Sequence, residues 1–308
     1  CDVYFYDLAL SMGIDRLHEY LSQFGFGTVT GIDISGELGG LMPSRDWKRG
    51  ARSEPWFPGE TLITGIGQGF VLTTPVQLAS ATATLARYGH RLRPHIVAST
   101  QKYDDPGLTP LAVETLLDIP VGDRRHWADV IDAMREVVHG KRGTARKIGI
   151  DIEYDIAGKT GTAQVFGIAQ DEEYEEDKVA KNLRDHALFM GFAPAEDPRI
   201  AVAVIVENGG SGSSTAAPIA RKMIDAYLYS QGVIESLDYR TMVSWSLWGG
   251  ASCMVTSGLL AFAFQWKAVV RALSGVTSLF TRGGGPKTGD PELEAMDKIE
   301  VQAQGLEQ

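Results

Sequence analysis

The sequence predicts an α+β fold, in which strands and helices pack in layers around a shared core. Three observations predict it. Segments in the first 140 residues repeat apolar side chains at helical spacing, and apolar, β-prone runs follow between residues 155 and 207. A last helical segment runs from Ala216 to about Tyr229. Strands mixed with helices and joined by hairpin-length connections are typical of this class.

The composition excludes several classes of protein. The 308 residues are 44% hydrophobic and 22% charged, which is ordinary for a globular chain and excludes full-length disorder. The formal net charge is −10 and no basic block occurs, so nucleic acid is not an expected partner. The two cysteines, Cys1 and Cys253, lie at opposite ends of the sequence, which excludes a disulfide framework or a cysteine-based zinc site.

The first helices are indicated by periodicity and by glycine. Apolar residues recur at helical spacing over 3–12 and 15–24, and Gly13 separates the two segments. Residues 28–60 are rich in Gly, Ser, Pro and mixed charge, which predicts a long irregular loop. Thr74 and Pro75 then form a typical helix start, and Gly89 forms a natural stop after Tyr88.

A strand is expected over residues 91–98, followed by a second strong helix. This helix carries apolar residues on one face and ends at Gly140. The run 155–165 is β-prone, and strands are expected over 186–193 and 199–207. The last of these is continuously apolar, as in strands covered on both faces.

The sequence changes character after about residue 232. Residues 241–266 carry no charge, and 16 of these 26 residues are apolar. Because about 20 apolar residues span a bilayer, this segment is expected to be a membrane-spanning helix or an amphipathic one, and hydropathy does not choose between them. Basic residues after the segment favour a cytoplasmic tail, with residues 1–230 on the other side. After Arg282 the chain is polar and rich in Gly and Pro, which predicts disorder.

The string 158–162, Gly-Lys-Thr-Gly-Thr, is the most informative motif, and three interpretations compete. A phosphate-binding loop would need glycine at position 153, where the chain has Glu153. A surface turn is the plainer alternative. The third interpretation is the Lys-Thr-Gly strand of serine acyl-transferases that act on D-amino-acid peptides and β-lactams.

In that third interpretation each residue has a chemical role. Lys159 supplies fixed positive charge for a substrate carboxylate, and Thr160 and Thr162 supply hydroxyl donors. Gly161 removes a side chain, so that a peptide backbone can lie along the strand edge. The triplet at 287–289 has the same letters, but it lies in the polar tail and is attributed to chance.

Several further sequence strings favour the third interpretation of residues 158–162. They are Cys1–Tyr6, Met12–Leu17, Phe24–Thr28, Gly65–Gly69 with Thr74-Pro75, Ala157–Gln164 and Phe189–Pro194. On these strings the chain resembles the transpeptidase domain of class B penicillin-binding proteins, most closely those that serve cell elongation. The resemblance covers residues 1 to about 230 and implies an antiparallel sheet packed with helices, with the beginning of the domain absent.

The resemblance assigns the family motifs residue by residue. Lys159, Thr160 and Gly161 match the Lys-Thr-Gly motif, and Cys1 and Asp2 look like the last two residues of the Ser-x-Asp motif. The serine of that motif and the Ser-x-x-Lys nucleophile are expected upstream of residue 1, so this chain alone is expected to be inactive. One literal Ser-x-x-Lys string, 99–102, is rejected because it follows a strand and comes after the second motif.

The resemblance also implies a function. An upstream serine would form an acyl-enzyme with D-Ala-D-Ala stem peptides of peptidoglycan, and a neighbouring amine would then take the acyl group. Lys159, Thr160 and Thr162 would hold the substrate carboxylate, the Thr162 N–H would be an oxyanion donor, and Asp2 would order proton transfer. No cofactor and no metal are expected. β-Lactams would be covalent inhibitors once the serine is present.

The same resemblance extends to organisation and surroundings. Residues 1–231 are expected to be the C-terminal part of the transpeptidase domain and 232–308 a tail of separate character. The implied location is the inner membrane, with the catalytic domain in the periplasm, and the implied partners include a RodA-type glycosyltransferase. A D,D-carboxypeptidase or β-lactamase, or a non-catalytic binding or sensor module, remain the alternatives.

Other candidate sites are weaker. The run 209–213 nearly fits a nucleophile elbow, but Ser213 replaces the final glycine and a flexible loop is expected. The six histidines show no metal-ligand spacing. The acidic run 171–177 is expected to be a solvated loop. Trp56 and Phe57 are expected to anchor the long loop rather than to line a groove, and lipid attachment at Cys1 is not favoured.

Overall fold

The computed structural model describes residues 2–104, 107–165 and 180–235, which lie within one compact unit. The helices in these ranges are α1 (Asp2–Met12), α2 (Ile14–Ser22), α3 (Arg45–Arg52), α4 (Pro58–Gly65), α5 (Pro75–Ala86), α6 (Arg125–His139) and α7 (Ala217–Ser230). The strands are β1 (Ser99–Gln101), β2 (Leu108–Pro110), β3 (Ala157–Ala163), β4 (His186–Ala193) and β5 (Ile200–Val206).

The central sheet is antiparallel, and its strands lie in the order β3-β4-β5. The predicted α+β class is therefore confirmed. In the register, Lys159 of β3 lies opposite Met190 and Thr162 lies opposite Ala187. Within the described residues β3 pairs with β4 alone, so it is an edge strand. An edge strand leaves backbone groups available to an extended peptide.

The sheet separates two hydrophobic cores, because successive side chains of a strand point to opposite faces. On one face, Phe189 of β4 is buried together with Ile224 of α7. On the other face, Phe192 is buried with Ile131 and Met134 of α6. Helix α5 also contacts β5, so that this strand has helices on both sides. The apolar run of β5 is explained by this double cover, as the sequence predicted.

Helix caps, glycine stops and apolar periodicity in the sequence predict five helices correctly, namely α1, α2, α5, α6 and α7. At the start of α5, the Thr74 hydroxyl accepts a hydrogen bond from the Gln77 N–H, and Pro75 occupies the first turn. Gly13 separates α1 from α2 with a φ of 76°, and Gly89 ends the turn after α5 with a φ of 90°. Both conformations favour glycine, because a side chain is strained at positive φ. Helices α6 and α7 begin and end close to their predicted positions.

The strand expected over residues 91–98 is wrong. This stretch forms a single bridge, from Leu92 to Thr115, and the strand β1 begins only at Ser99. Two causes are visible. Pro94 has no N–H for a ladder. The Asp33 carboxylate accepts from the N–H groups of Ile96 and Val97, at 2.7 and 2.9 Å, and so takes the donors that a strand partner would need.

The expectation of a wholly irregular segment over 28–60 is also wrong, because it contains α3 and the start of α4. The Ser44 hydroxyl caps α3 by accepting from the Trp47 N–H at 3.1 Å. Most side chains of this short helix are charged, so the sequence shows no apolar periodicity that would predict it. The buried Gln77 amide fastens the preceding loop by donating to the carbonyl oxygens of Thr28 and Gly39, at 2.6 and 2.7 Å.

The side chain of Lys48 is the centre of this segment, and it is only 1% exposed. Its ammonium group donates to the Glu60 carboxylate and lies 4.5 Å from the centroid of the Phe57 ring. The Trp56 indole N–H donates to the Thr61 hydroxyl at 2.8 Å. Trp56 and Phe57 therefore make the fastening contacts within the loop that the sequence favoured.

Two sequence predictions fall outside the described residues. They concern the acidic run 171–177 and the tail, including the possible spanning helix 241–266 and the disordered end. Across residues 2–104, 107–165 and 180–235, none of the helices is both long enough and apolar enough to cross a membrane.

Candidate active site

A cavity of about 820 Å³ lies between α1, α6 and β3. Asp2, the first residue of α1, and Lys159 of β3 both line it, although they are far apart in the sequence. The fold has thus brought together residues of the two motifs that the sequence singled out. The remaining lining residues are Phe5, Gly65, Ile66, Gly67, Ala133, Glu136, Val137, Arg142, Gly143 and Thr144.

A close helix contact positions the α1 side of the cavity. Gly65, the last residue of α4, lies against Ala9 of α1, and a Cβ atom at Gly65 would come within 2.4 Å of the Ala9 Cβ atom. Only glycine allows the two helices to approach this closely. Asp2 and Phe5 of α1 and the residues that follow α4, Ile66 and Gly67, all belong to the cavity wall.

The electrostatics of Lys159 suit an anion-binding role. Its ammonium group donates to the Thr160 carbonyl oxygen at 2.5 Å, which uses one of its three N–H donors. Desolvation lowers the pKa of Lys159 below the ordinary lysine value, and the negative charge of Asp2 opposes this change. Lys159 is nevertheless exposed on β3, so its ammonium group is accessible to a carboxylate ligand in the cavity.

Thr160 does not line the cavity itself, but its hydroxyl group contacts that of Thr144, which does. The two hydroxyl oxygens are 3.0 Å apart, and either can be the donor. Thr144 belongs to a tight turn after α6, in which the Ala145 N–H donates to the Val137 carbonyl oxygen at 3.0 Å. Gly143 packs onto the same helix end, because a Cβ atom there would lie 2.3 Å from that carbonyl oxygen. The turn therefore presents Thr144 to β3 in a defined position.

Gly161 and Thr162 lie further along β3 and are not among the residues that line the cavity. The backbone of Gly161 is contacted by Gly212, where a Cβ atom would come within 2.5 Å of the Gly161 carbonyl oxygen. Gly212 begins a π-helical turn, Gly212–Ala216, that leads into α7. The flexible loop expected over 209–213 is thus partly ordered, and its packing supports the strand that carries the motif.

No serine, cysteine or histidine lines the cavity within the described ranges. Ser99 begins the short strand β1 and is not on a helical turn, so a serine there cannot be approached by Lys102 in the geometry that the motif requires. Among the residues that the structure describes, His, Cys, Asp and Glu side chains form no group of three that could hold a metal ion. The described cavity therefore presents the cationic side chains of Arg142 and Lys159.

Sequence reasoning missed several residues of the cavity. Glu136 and Val137 come from the last turn of α6, and Arg142, Gly143 and Thr144 come from the turn that follows. In the sequence these positions read only as the end of a helix. One signal existed in the Arg142-Gly-Thr144 string, which puts a glycine and a hydroxyl directly after a helix stop.

Comparisons with known proteins show which family the chain resembles. A family model described as the penicillin binding protein transpeptidase domain matches residues 1–225. The peptidoglycan D,D-transpeptidase MrdA of Haemophilus influenzae is 43% identical over 232 residues, which are 74% of this chain and 35% of that protein.

Solved structures give the same result. The structure of penicillin-binding protein 2 (PBP2) from Pseudomonas aeruginosa is 51% identical with a TM-score of 0.64, and the match covers 74% of this chain and 47% of that one. The complex of PBP2 with MreC from Helicobacter pylori is 31% identical with a TM-score of 0.62, covering 76% and 39%. The chain spans about a third of the length of the curated relatives it matches.

Proposed function

The chain belongs to the penicillin-binding protein transpeptidase family, and from this membership we propose that it is the C-terminal part of a peptidoglycan D,D-transpeptidase of the cell-elongation type. The observation that carries the proposal is that Asp2 and Lys159 line the same cavity. These residues come from two separate family motifs, and a chance Lys-Thr-Gly string would have no reason to lie beside the Ser-x-Asp motif in space.

The proposed reaction is acyl transfer through a serine ester. The serine oxygen attacks the carbonyl carbon of the penultimate D-Ala, and the bond to the terminal D-Ala breaks as its nitrogen is protonated. An amine from a neighbouring peptide then attacks the ester, forms the new amide and releases the serine. A β-lactam would acylate the same serine and stay attached.

The residues of this chain supply binding and electrostatics for that reaction. Lys159 attracts the free carboxylate of the terminal D-Ala, with the hydroxyl groups of Thr160 and Thr162 as donors. The Thr162 N–H, on the edge strand β3, is the proposed oxyanion donor, together with the N–H of the serine itself. Asp2 lies beside Lys159 in the cavity and is proposed to order the proton-transfer network.

The proposed nucleophile is the serine of a Ser-x-x-Lys motif on a helical turn. The single Ser-x-x-Lys string of the sequence, 99–102, begins a strand, and the cavity lining within the described ranges holds no serine. The serines of both the nucleophile motif and the Ser-x-Asp motif are therefore proposed to precede Cys1 in the full-length protein.

Location and partners follow from the family in the same way. We propose an inner-membrane protein with a periplasmic transpeptidase domain over residues 1–231 and a separate tail over 232–308. The H. pylori relative was solved in complex with MreC, which supports the proposal of protein partners. A RodA-type glycosyltransferase is proposed as one of them on the family resemblance alone.

Covalent labelling by a fluorescent penicillin tests the proposal. The full-length protein, with its native upstream region, is expected to be labelled, and the 308-residue chain is not. Labelling of the short chain at Ser99 would overturn the assignment of the nucleophile. A full-length protein that is never labelled would favour a binding or sensor module, and release of the label within minutes would favour a β-lactamase-type hydrolase.

A further inference from the structure

A second cleft, of about 460 Å³, adjoins the cavity of Lys159. The two share Arg142, Gly143 and Thr144 in their walls. The cleft lies between the turn after α6 and the π-helical turn before α7. Its remaining lining residues are Lys141, Arg146, Lys147, Ile150, Ser213 and Ser214. We call it the basic cleft.

The lining of the basic cleft contains four cationic side chains and no carboxylate. The four are Lys141, Arg142, Arg146 and Lys147, and all of them are exposed. In the part of the chain that the structure describes, none of the four forms a salt bridge. The chain as a whole carries a formal net charge of −10. Four cations without an ion-pair partner among the described residues therefore stand out against an acidic protein, and such a surface attracts anions.

Stabilisation of the C-terminus of α6 does not account for the cluster. Cations near the end of a helix are favourable because they interact with its free carbonyl groups. Here the backbone already supplies partners: the N–H groups of Gly140 and Ala145 donate to the carbonyl oxygens of Glu136 and Val137, both at 3.0 Å. None of the four cationic side chains donates a hydrogen bond to a carbonyl group in the described ranges.

The wall that carries the cations is held in place. Arg146 and Lys147 lie on the 3-10 helix Arg146–Gly149, and the Arg221 guanidinium of α7 donates to the Ile148 carbonyl oxygen at 2.6 Å. On the opposite wall, the hydroxyl groups of Ser213 and Ser211 are 2.9 Å apart. The cationic groups therefore project from an ordered frame, which reduces the entropy lost when a ligand binds.

We propose that the basic cleft binds carboxylate groups of the peptide whose terminal carboxylate lies at Lys159. The inference rests on the proposed function, and it adds a specificity site for acidic residues upstream of the D-Ala-D-Ala terminus. The shared wall at Arg142 and Thr144 places the two clefts side by side, so we expect one extended peptide to reach both. Arg and Lys bind both carboxylate and phosphate groups, so the experiment must distinguish which of the two occupies the basic cleft.

The experiment measures peptide binding to the full-length protein by isothermal titration calorimetry at low salt. One probe is an acetylated peptide ending in D-Ala-D-Ala with two glutamates upstream, and the other has glutamines at those two positions. The test variant is Arg146→Gln with Lys147→Gln, because these residues line only the basic cleft. The matched control is Lys102→Gln with Lys181→Gln, which removes the same charge from exposed positions elsewhere.

The acidic peptide is expected to bind about three- to tenfold more tightly than the neutral one, as exposed charge pairs allow. The test variant is expected to lose this preference, the control variant to keep it, and added salt to weaken it. Equal binding of the two peptides, or equal losses in both variants, would overturn the inference. Inorganic phosphate that displaces the acidic peptide at much lower concentration than acetate would reassign the cleft to a phosphate group.

Penicillin labelling keeps this inference separate from the proposed function. The test variant retains Lys159 and the whole cavity around it, so its labelling is expected to match that of the unmodified protein. Loss of the peptide preference with labelling intact confirms the basic cleft alone. Absence of binding by both peptides, in a protein that penicillin labels, overturns the basic cleft and leaves the transpeptidase proposal standing.

Discussion

The Thr144 hydroxyl oxygen lies 3.0 Å from the Thr160 hydroxyl oxygen and joins the turn after α6 to the motif strand β3. Thr144 lines the cavity, whereas Thr160 does not. The position of Thr144 is fixed by the preceding residue, Gly143, which packs onto the end of α6. We infer that Thr144 orients the Thr160 hydroxyl for the substrate carboxylate.

Replacing Thr144 tests this relationship. Thr144→Val removes the hydroxyl and keeps the shape, so penicillin acylation of the full-length protein is expected to slow about fivefold, the effect of about one net hydrogen bond. Thr144→Ser keeps the hydroxyl and is expected to keep most of the rate. Thermal denaturation provides the control, since a Val variant that melts at a much lower temperature would indicate a structural role instead.

The alkaline limit of acylation is expected to report on Lys159. Desolvation lowers the pKa of Lys159, so its ammonium loses its charge at a lower pH than an ordinary lysine does. Asp2 opposes this, and Asp2→Asn is therefore expected to move the alkaline fall of the rate to still lower pH. Asp7→Asn, an exposed change of equal charge on the same helix, should leave the profile unmoved. Identical profiles for all three proteins would show that Asp2 does not hold the charge on Lys159.

Gly212→Ala is expected to damage the motif strand through packing. A Cβ atom at this position would lie 2.3 Å from the Leu188 carbonyl oxygen and 2.5 Å from that of Gly161. The backbone must shift to remove these two overlaps, which is expected to lower the free energy of unfolding by about 1–3 kcal/mol. Gly59→Ala has no heavy atom within 4 Å of the new Cβ and serves as the control, with stability unchanged or higher. Urea denaturation of both variants compares them.

The buried Lys48–Glu60 pair is expected to dominate the stability of the long loop. Glu60→Gln leaves the Lys48 charge buried without its main partner, which costs about 3–5 kcal/mol. Glu54 also lies 3.6 Å from Lys48, but its side chain is 57% exposed, so Glu54→Gln should cost about 1 kcal/mol or less. Equal losses in the two variants would contradict the assignment.

The Lys48–Glu60 pair is also expected to make the free energy of unfolding depend on pH. Burial raises the pKa of Glu60, but hydrogen bonds from Lys48 and the Phe57 N–H outweigh it and hold the pKa below the ordinary value. The stability that Glu60 adds is therefore complete above its unfolded pKa of about 4.3 and is lost as the pH falls through the lower folded value. Guanidinium denaturation between neutral and acidic pH should show a smaller loss of stability in Glu60→Gln than in the unmodified protein, because other carboxylates with lowered pKa values, such as Asp155, still contribute in both.

Elements with agreeing local signals were predictable from the sequence alone. Helix α5 follows from a hydroxyl cap at Thr74, a proline in its first turn and a glycine stop, and all three act through neighbours in the chain. Strand β5 follows from its apolar run, because the burial that it needs shows in its own residues. The family motif on β3 was equally visible as letters.

The remaining features depended on residues that are distant in the sequence. Asp33 decides that 96 and 97 do not form a strand, and no pattern near those residues shows it. Helix α3 has no apolar face because its key buried side chain is a lysine, whose partner lies in the next helix.

The sequence by itself determined the family, the α+β class and the residue types that carry positive charge and hydroxyl groups to the site. Only the tertiary structure decided that Asp2 shares a cavity with Lys159, that Thr144 meets Thr160, and that a second, basic cleft adjoins them. The physical reason is that charge and hydrogen bonding act over a few ångströms of space. Which side chains come that close is set by the packing of the whole domain.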